Sequence, residues 1–185
     1  MIPCEPQKVL HLKDALALKS PKIYGFYMIT EKFEGWDCFI YYNKQQGKWH
    51  PPVSSRGRTI PSLAWLETTL QQLPAMPTSG FIRAEAYHPD MDFAELNGYL
   101  NRSVGECDFK EVVLMAHDYV PVEGYVAANF RYALLESILE EKGNAPIQLV
   151  PILKTTTYDP TTWYHLFDTV AQRGGEGIVA KSVGS

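Results

Sequence analysis

The chain has 185 residues, of which 45% are apolar and 21% charged, and a formal net charge of −4. This balance suits one well-buried soluble domain. It excludes nucleic-acid binding by bulk positive charge, leaving only a local basic groove such as Arg56-Gly57-Arg58 with Arg102. No window is long and apolar enough to span a bilayer, and the N-terminus lacks a signal-peptide pattern. Cys4, Cys38 and Cys107 are odd in number and far apart, which predicts thiols in a reducing, cytoplasmic compartment rather than disulfides or a zinc site.

Residues 6–18 read as a helix with Val9, Leu10, Leu12, Leu16 and Ala17 on one side, stopped by Ser20-Pro21. Two aromatic, β-branched runs follow, Ile23 to Ile29 and Trp36 to Tyr42, and predict a β-hairpin with Lys32 at its turn. A short strand through Trp49 returns after Gln45-Gln46-Gly47, and Val53 to Arg58 is a polar loop. Pro61 opens a helix carrying Leu63, Leu66, Leu70 and Leu73. Phe81 to Tyr87 alternates as a strand. Asp92 is placed to cap a helix running to Leu100, with Phe93, Leu96 and Leu100 inward.

Phe109 to Val120 reads as an apolar strand ending in His117-Asp118-Tyr119. Asn129 is the predicted cap of a helix with Tyr132, Leu135, Ile138 and Leu139 in its stripe, ended by Gly143. Ile147 to Leu153 reads as one strand. Asp159-Pro160 opens a helix that buries Trp163, Leu166, Phe167 and Val170, and Glu176 to Lys181 forms a last strand. No repeat, low-complexity tract or linker interrupts the chain, so residues 1–185 read as a single α+β domain with mixed or antiparallel sheets and flanking helices.

Taken singly, the polar residues of these elements have ordinary readings. Lys32 fits a solvated turn, Glu85 an exposed strand acid, Glu176 and Lys181 a surface pair, Arg56 a loop cation and His117 a polar strand end. Taken together, Glu31-Lys32-Phe33-Glu34-Gly35, Phe81-Ile82-Arg83-Ala84-Glu85 and Glu176-Gly177-Ile178-Val179-Ala180-Lys181 resemble, in order and spacing, three elements of the covalent nucleotidyltransferases. The adenylation domain of ATP-dependent DNA ligases is the nearest likeness. Its KxDG, glutamate-strand and EGxVxK elements match over nearly the whole chain. Asn129-Phe130-Arg131-Tyr132-Ala133-Leu134-Leu135 is similar to that family's Arg-Tyr-x-x-Leu-Leu helix.

The resemblance implies an ATP-grasp-like nucleotidyltransferase fold without the C-terminal oligonucleotide-binding (OB) domain. It also implies the roles. Lys32 would attack the α-phosphate of ATP, release pyrophosphate and leave a lysine–AMP phosphoramidate for the sealing of nicked DNA. Only a neutral amine attacks, so burial or nearby cations have to favour loss of its proton. Glu176 would face Mg²⁺, and Glu85 the ribose hydroxyls or the metal, since carboxylates serve both tasks. Lys181 and Arg56 would neutralise phosphate charge. Val179 would offer an apolar face to adenine, with His117 and Glu31 also against the nucleotide.

Five features depart from the family pattern. Glu34 replaces the usual aspartate, and Asp37 stands where many members carry arginine. His117 replaces the adenine-stacking aromatic, with Tyr119 as a substitute, and Thr30 replaces the acid two residues before the nucleophile. The sequence ends four residues after Lys181, before the family's last lysine-containing element and its OB domain. A truncated domain, or one subunit of a split bacteriophage-type ligase whose second chain supplies the rest, is expected on that reading. Its alternatives are an RNA ligase or mRNA-capping guanylyltransferase on the same fold, or a non-catalytic subunit for ligase assembly.

Overall fold

The computed structural model of the chain describes residues 25–102, 111–139 and 146–184. They build two sheets. The larger, of six strands, contains β2 (Trp36–Asn43), β3 (Lys48–Trp49), β4 (Val53–Ser54), β5 (Gly80–Tyr87), β6 (Val113–Pro121) and β7 (Ile147–Leu149), in the order β3-β2-β5-β6-β7 with β4 also on β2. The smaller, of three strands, places β1 (Phe26–Lys32) between β8 (Ile152–Thr157) and β9 (Gly177–Ser182). Every pairing is antiparallel except β6 with β7. A 3-10 turn (Pro61–Leu66) runs into α1 (Glu67–Leu70), and α2 (Phe93–Leu100), α3 (Ala128–Leu139) and α4 (Pro160–Gln172) complete the described elements. None of the described helices is long and apolar enough to cross a membrane.

Period-two patterning explains the large sheet. On β5, Ile82, Ala84 and Ala86 are fully buried among the leucines of the 3-10 turn and α2, while Arg83, Glu85 and Tyr87 alternate onto the other face. The helix ends follow the expected chemistry where Asp92 and Glu95 form a reciprocal capping box and where the Asp159 carboxylate accepts from Thr161 and Thr162.

The expected hairpin does not exist. β1 and β2 belong to different sheets, because β1 is a central strand covered on both faces. Tyr27 and Ile29 pack on Trp163 of α4, and Met28 packs on Ala128 and Tyr132 of α3. An unbroken apolar run is the mark of such a two-sided strand, which needs a neighbour along each edge. The run Ile147 to Leu153 is likewise two strands. Pro151 has no backbone N–H for a ladder, and at Val150-Pro151 the chain leaves β6 and crosses to β1.

Smaller corrections follow the same logic. Asn129 is inside α3, which begins at Ala128, and its backbone N–H reaches Val183 O at 3.4 Å. Phe93 and Phe167 are each 43% exposed, so Leu96 and Leu100 carry the α2 contact and Trp163 and Val170 that of α4. The Pro61 helix starts as a 3-10 turn, with Leu63, Leu66 and Leu70 fully buried. Cys38 is a buried free thiol. The 6–18 helix, Cys4, Cys107, Ile23, the start of the 109–120 strand and the Gly143 stop lie outside the described residues.

Candidate active site

The site forms where the two sheets face one another. Lys32 ends β1 in register with Gly177 of β9, and its ammonium ion-pairs with the Glu176 carboxylate just before that strand. Phe33 and Glu34 then carry the chain to the other sheet, with Phe33 packed edge-on against Tyr87. Gly35 makes the crossing possible. A Cβ there would lie 2.7 Å from Ala86 O and 2.9 Å from Glu85 Cβ, so the glycine lets this segment press against β5 beside Glu85.

Side-chain alternation on β1 separates the two residues expected to act together. Thr30 and Lys32 lie on one face, and Glu31 lies on the other with Tyr27 and Ile29. Glu31 ion-pairs with Arg173 at the end of α4 and abuts Gly175, where a Cβ would meet Glu31 Oε1 at 2.7 Å and Val170 Cγ1 at 2.4 Å. The structure thus places Glu31 against Arg173 and the turn carrying Glu176, on the face away from Lys32.

The large sheet contributes Asp37, Arg83, Glu85, His117 and Asp118. Asp37 and Glu85 sit directly opposite one another on β2 and β5. Burial, and then the Asp37 charge, push the Glu85 carboxyl up to about 7, against the pull of Arg83 and Lys32. Burial likewise raises Asp37, although Arg83 stands 3.6 Å from its Oδ1. The β5–β6 register slips so that Arg83 faces Asp118 while Ala84 faces Ala116, leaving His117 as the extra residue. This bulge brings both His117 and Asp118 within reach of one Lys181 side chain.

Lys181 reaches across from β9. Its Nζ donates to His117 O at 2.7 Å and lies 3.2 Å from His117 Nδ1 and 3.5 Å from Asp118 Oδ2. Arg131 of α3 grips the same Asp118 with two bonds, of 3.0 and 3.2 Å. Burial works to raise the Asp118 carboxyl, but Lys181 and Arg131 outweigh it and hold it below its usual range. Burial pulls Lys181 down, and Asp118 opposes that shift. His117 is pulled down to about 3 by burial, then by Lys181 and Arg83, so its imidazole is neutral.

The remaining expected residues divide. Val179 is half-buried on β9, on the same face as Lys181 and opposite the Ile178 and Ala180 face packed with Trp163. Arg56 sits on the loop that follows β4. It lines a cavity of about 480 Å³ with Trp36, Arg58, Asn97 and Asn101. Tyr119 is 1% exposed, with its hydroxyl on Thr78 O at 3.2 Å, so it belongs to the core and cannot stack on a ligand. Glu85 groups with Asp37 and His117 rather than with Glu176.

Four residues of this site, Arg83, Asp118, Arg131 and Arg173, carried no site role in the sequence reading. Arg83 brings positive charge from the neighbouring strand to 3.6 Å from Asp37; its place two residues before Glu85, on the same face, was the available signal. Arg173 carried no signal, because only the packing of α4 on β1 brings it to Glu31.

The fold, rather than the site, is what solved structures share with this chain, DNA ligases among them. Pmar-Lig_PreS3 superposes with a TM-score of 0.73 at 18% identity, over 89% of this chain and 40% of that one. Chlorella virus DNA ligase-adenylate gives 0.63 at 14% identity, over 91% and 58% respectively. The ATP-dependent DNA ligase of bacteriophage T7, in complex with ATP, gives 0.59 at 16%, over 93% and 60%. No protein-family model matches the sequence, and no curated protein does. At such identities the likeness is one of fold. The chain has the α+β nucleotidyltransferase fold of DNA ligases and spans less than two thirds of the length of each of these structures.

Proposed function

We propose that the chain is the adenylating part of an ATP-dependent DNA ligase. The observation that carries this reading is the ion pair of Lys32, at the end of β1, with Glu176 before β9, next to the close approach at Gly35 that seats the following segment beside Glu85 of the other sheet. On this reading ATP lies between the sheets. Lys32 Nζ, once free of Glu176 and deprotonated, forms an N–P bond to the α-phosphorus. The bond from that phosphorus to the pyrophosphate oxygen breaks, and pyrophosphate leaves with the electron pair. Val179 offers an apolar surface to the base, and Lys181 and Arg83 place positive charge along the cleft.

The donor chemistry at Glu176 fits a hard dication, since its carboxylate is 35% exposed and its ion-pair partner Lys32 is itself 40% exposed. Mg²⁺ held there would supply neutralisation of phosphate charge. Transfer of AMP to a nicked DNA end is proposed to require the share of a ligase this chain does not span, from the same polypeptide or a second one.

The test is intact mass after incubation with ATP and Mg²⁺. One AMP is expected on the wild-type chain and none on Lys32→Ala, with GTP and nicked RNA as the competing nucleotide and substrate. Absence of adenylate even with an added OB-fold partner overturns the reading.

A further inference from the structure

We propose that Asp37, Glu85 and His117 form a second metal site, built for a divalent ion of the zinc class and separate from Glu176. One ligand atom from each lies within 4.8 Å of the others. The three come from adjacent strands of the large sheet, β2, β5 and β6, so the backbone holding them is braced on both sides. Asp37 and Glu85 are directly opposed, and the β-bulge supplies His117.

A separate observation points to a missing partner. Asp37 Oδ1 is closed off from solvent without a hydrogen bond, its nearest cation being Arg83 at 3.6 Å. Two facing carboxylates whose nearest countercharge is a guanidinium beyond hydrogen-bond length are relieved further by a dication between them.

The donor set selects the ion. Once Glu85 releases its proton to the incoming ion, two carboxylates and a neutral imidazole carry a formal charge of −2 and match a dication. The imidazole favours zinc-class ions over Mg²⁺, which prefers an all-oxygen shell. Two cations border the site. Lys181 keeps the His117 carbonyl and Asp118 when the ring turns to a metal, whereas Arg83 competes directly for Asp37. The inference does not depend on adenylation.

The experiment uses the whole chain, stripped with EDTA and titrated with ZnCl₂ by calorimetry, with Co²⁺ absorption as a second readout. One equivalent is expected to bind. Asp37→Asn and His117→Phe are each expected to weaken binding by about tenfold or more, and Glu176→Gln to leave it unchanged. Arg83→Gln is expected to tighten it severalfold, the opposite of what mere loss of structure does. Apo unfolding midpoints identify any variant that fails to fold, and His117→Gln then replaces His117→Phe. No zinc binding by the wild type, or unchanged binding in both Asp37→Asn and the His117 variant, overturns the site.

Discussion

The Lys32 ammonium and the Glu176 carboxylate form an ion pair between the end of β1 and the residue preceding β9. The pair is half-exposed, so its worth to stability is small, at most about 1 kcal/mol. Its chemical consequence is larger, because the carboxylate proposed to meet the metal also holds the proposed nucleophile. We predict that Glu176→Gln changes the urea unfolding free energy by no more than about 1 kcal/mol while lowering adenylate yield by about tenfold or more. A variant as active as the wild type would reduce the pair to an ordinary surface contact.

Asp118 stands between two cations, Arg131 and Lys181, and is 6% exposed. Asp118→Asn leaves both in a largely buried place without a countercharge. It is expected to cost about 3 kcal/mol of stability in urea unfolding. Arg131→Lys keeps the charge but loses the two-point grip, so a smaller loss of about 1–2 kcal/mol is expected.

Glu85 and His117 give the fold a pH dependence of two opposite signs. Glu85 is raised from 4.5 to about 7, so the folded state retains a proton that the unfolded chain releases. Its contribution to stability therefore falls as pH rises from about 4.5 to 7. His117 is lowered from 6.5 to about 3, so the unfolded chain takes the proton first, and stability falls as pH drops below 6.5. Urea midpoints across this range are expected to lose the neutral-side decline in Glu85→Gln and part of the acid-side decline in His117→Phe. Parallel curves for all three proteins would refute these assignments.

Gly35 and Gly98 offer a matched pair. Alanine at 35 meets Ala86 O and Glu85 Cβ and has to push two strands apart, at a cost of about 1–3 kcal/mol and with loss of adenylation. Gly98 lies inside α2 with nothing within 4 Å of a built Cβ. Alanine there is expected to raise stability by about 0.5–1 kcal/mol and to leave adenylation unchanged. Thermal unfolding together with the mass assay separates the two.

Local physics made much of this protein legible in its sequence. Alternation marked β5, the Asp92 and Asp159 caps marked two helix starts, and the order of Lys32, Glu85 and Glu176 marked the fold. What the sequence could not decide was which strands are neighbours. A continuous apolar run such as Phe26 to Thr30 suits a hairpin and a two-sided central strand equally, and only the packing of α3 and α4 on β1 chooses between them. That choice splits β1 from β2 and turns Glu31 away from Lys32 toward Arg173. The β6 bulge and the place of Arg83 are also products of register, because partners across a sheet are set by the whole core rather than by adjacent residues. The candidate site residues were written along the chain, and the tertiary structure decided which of them meet.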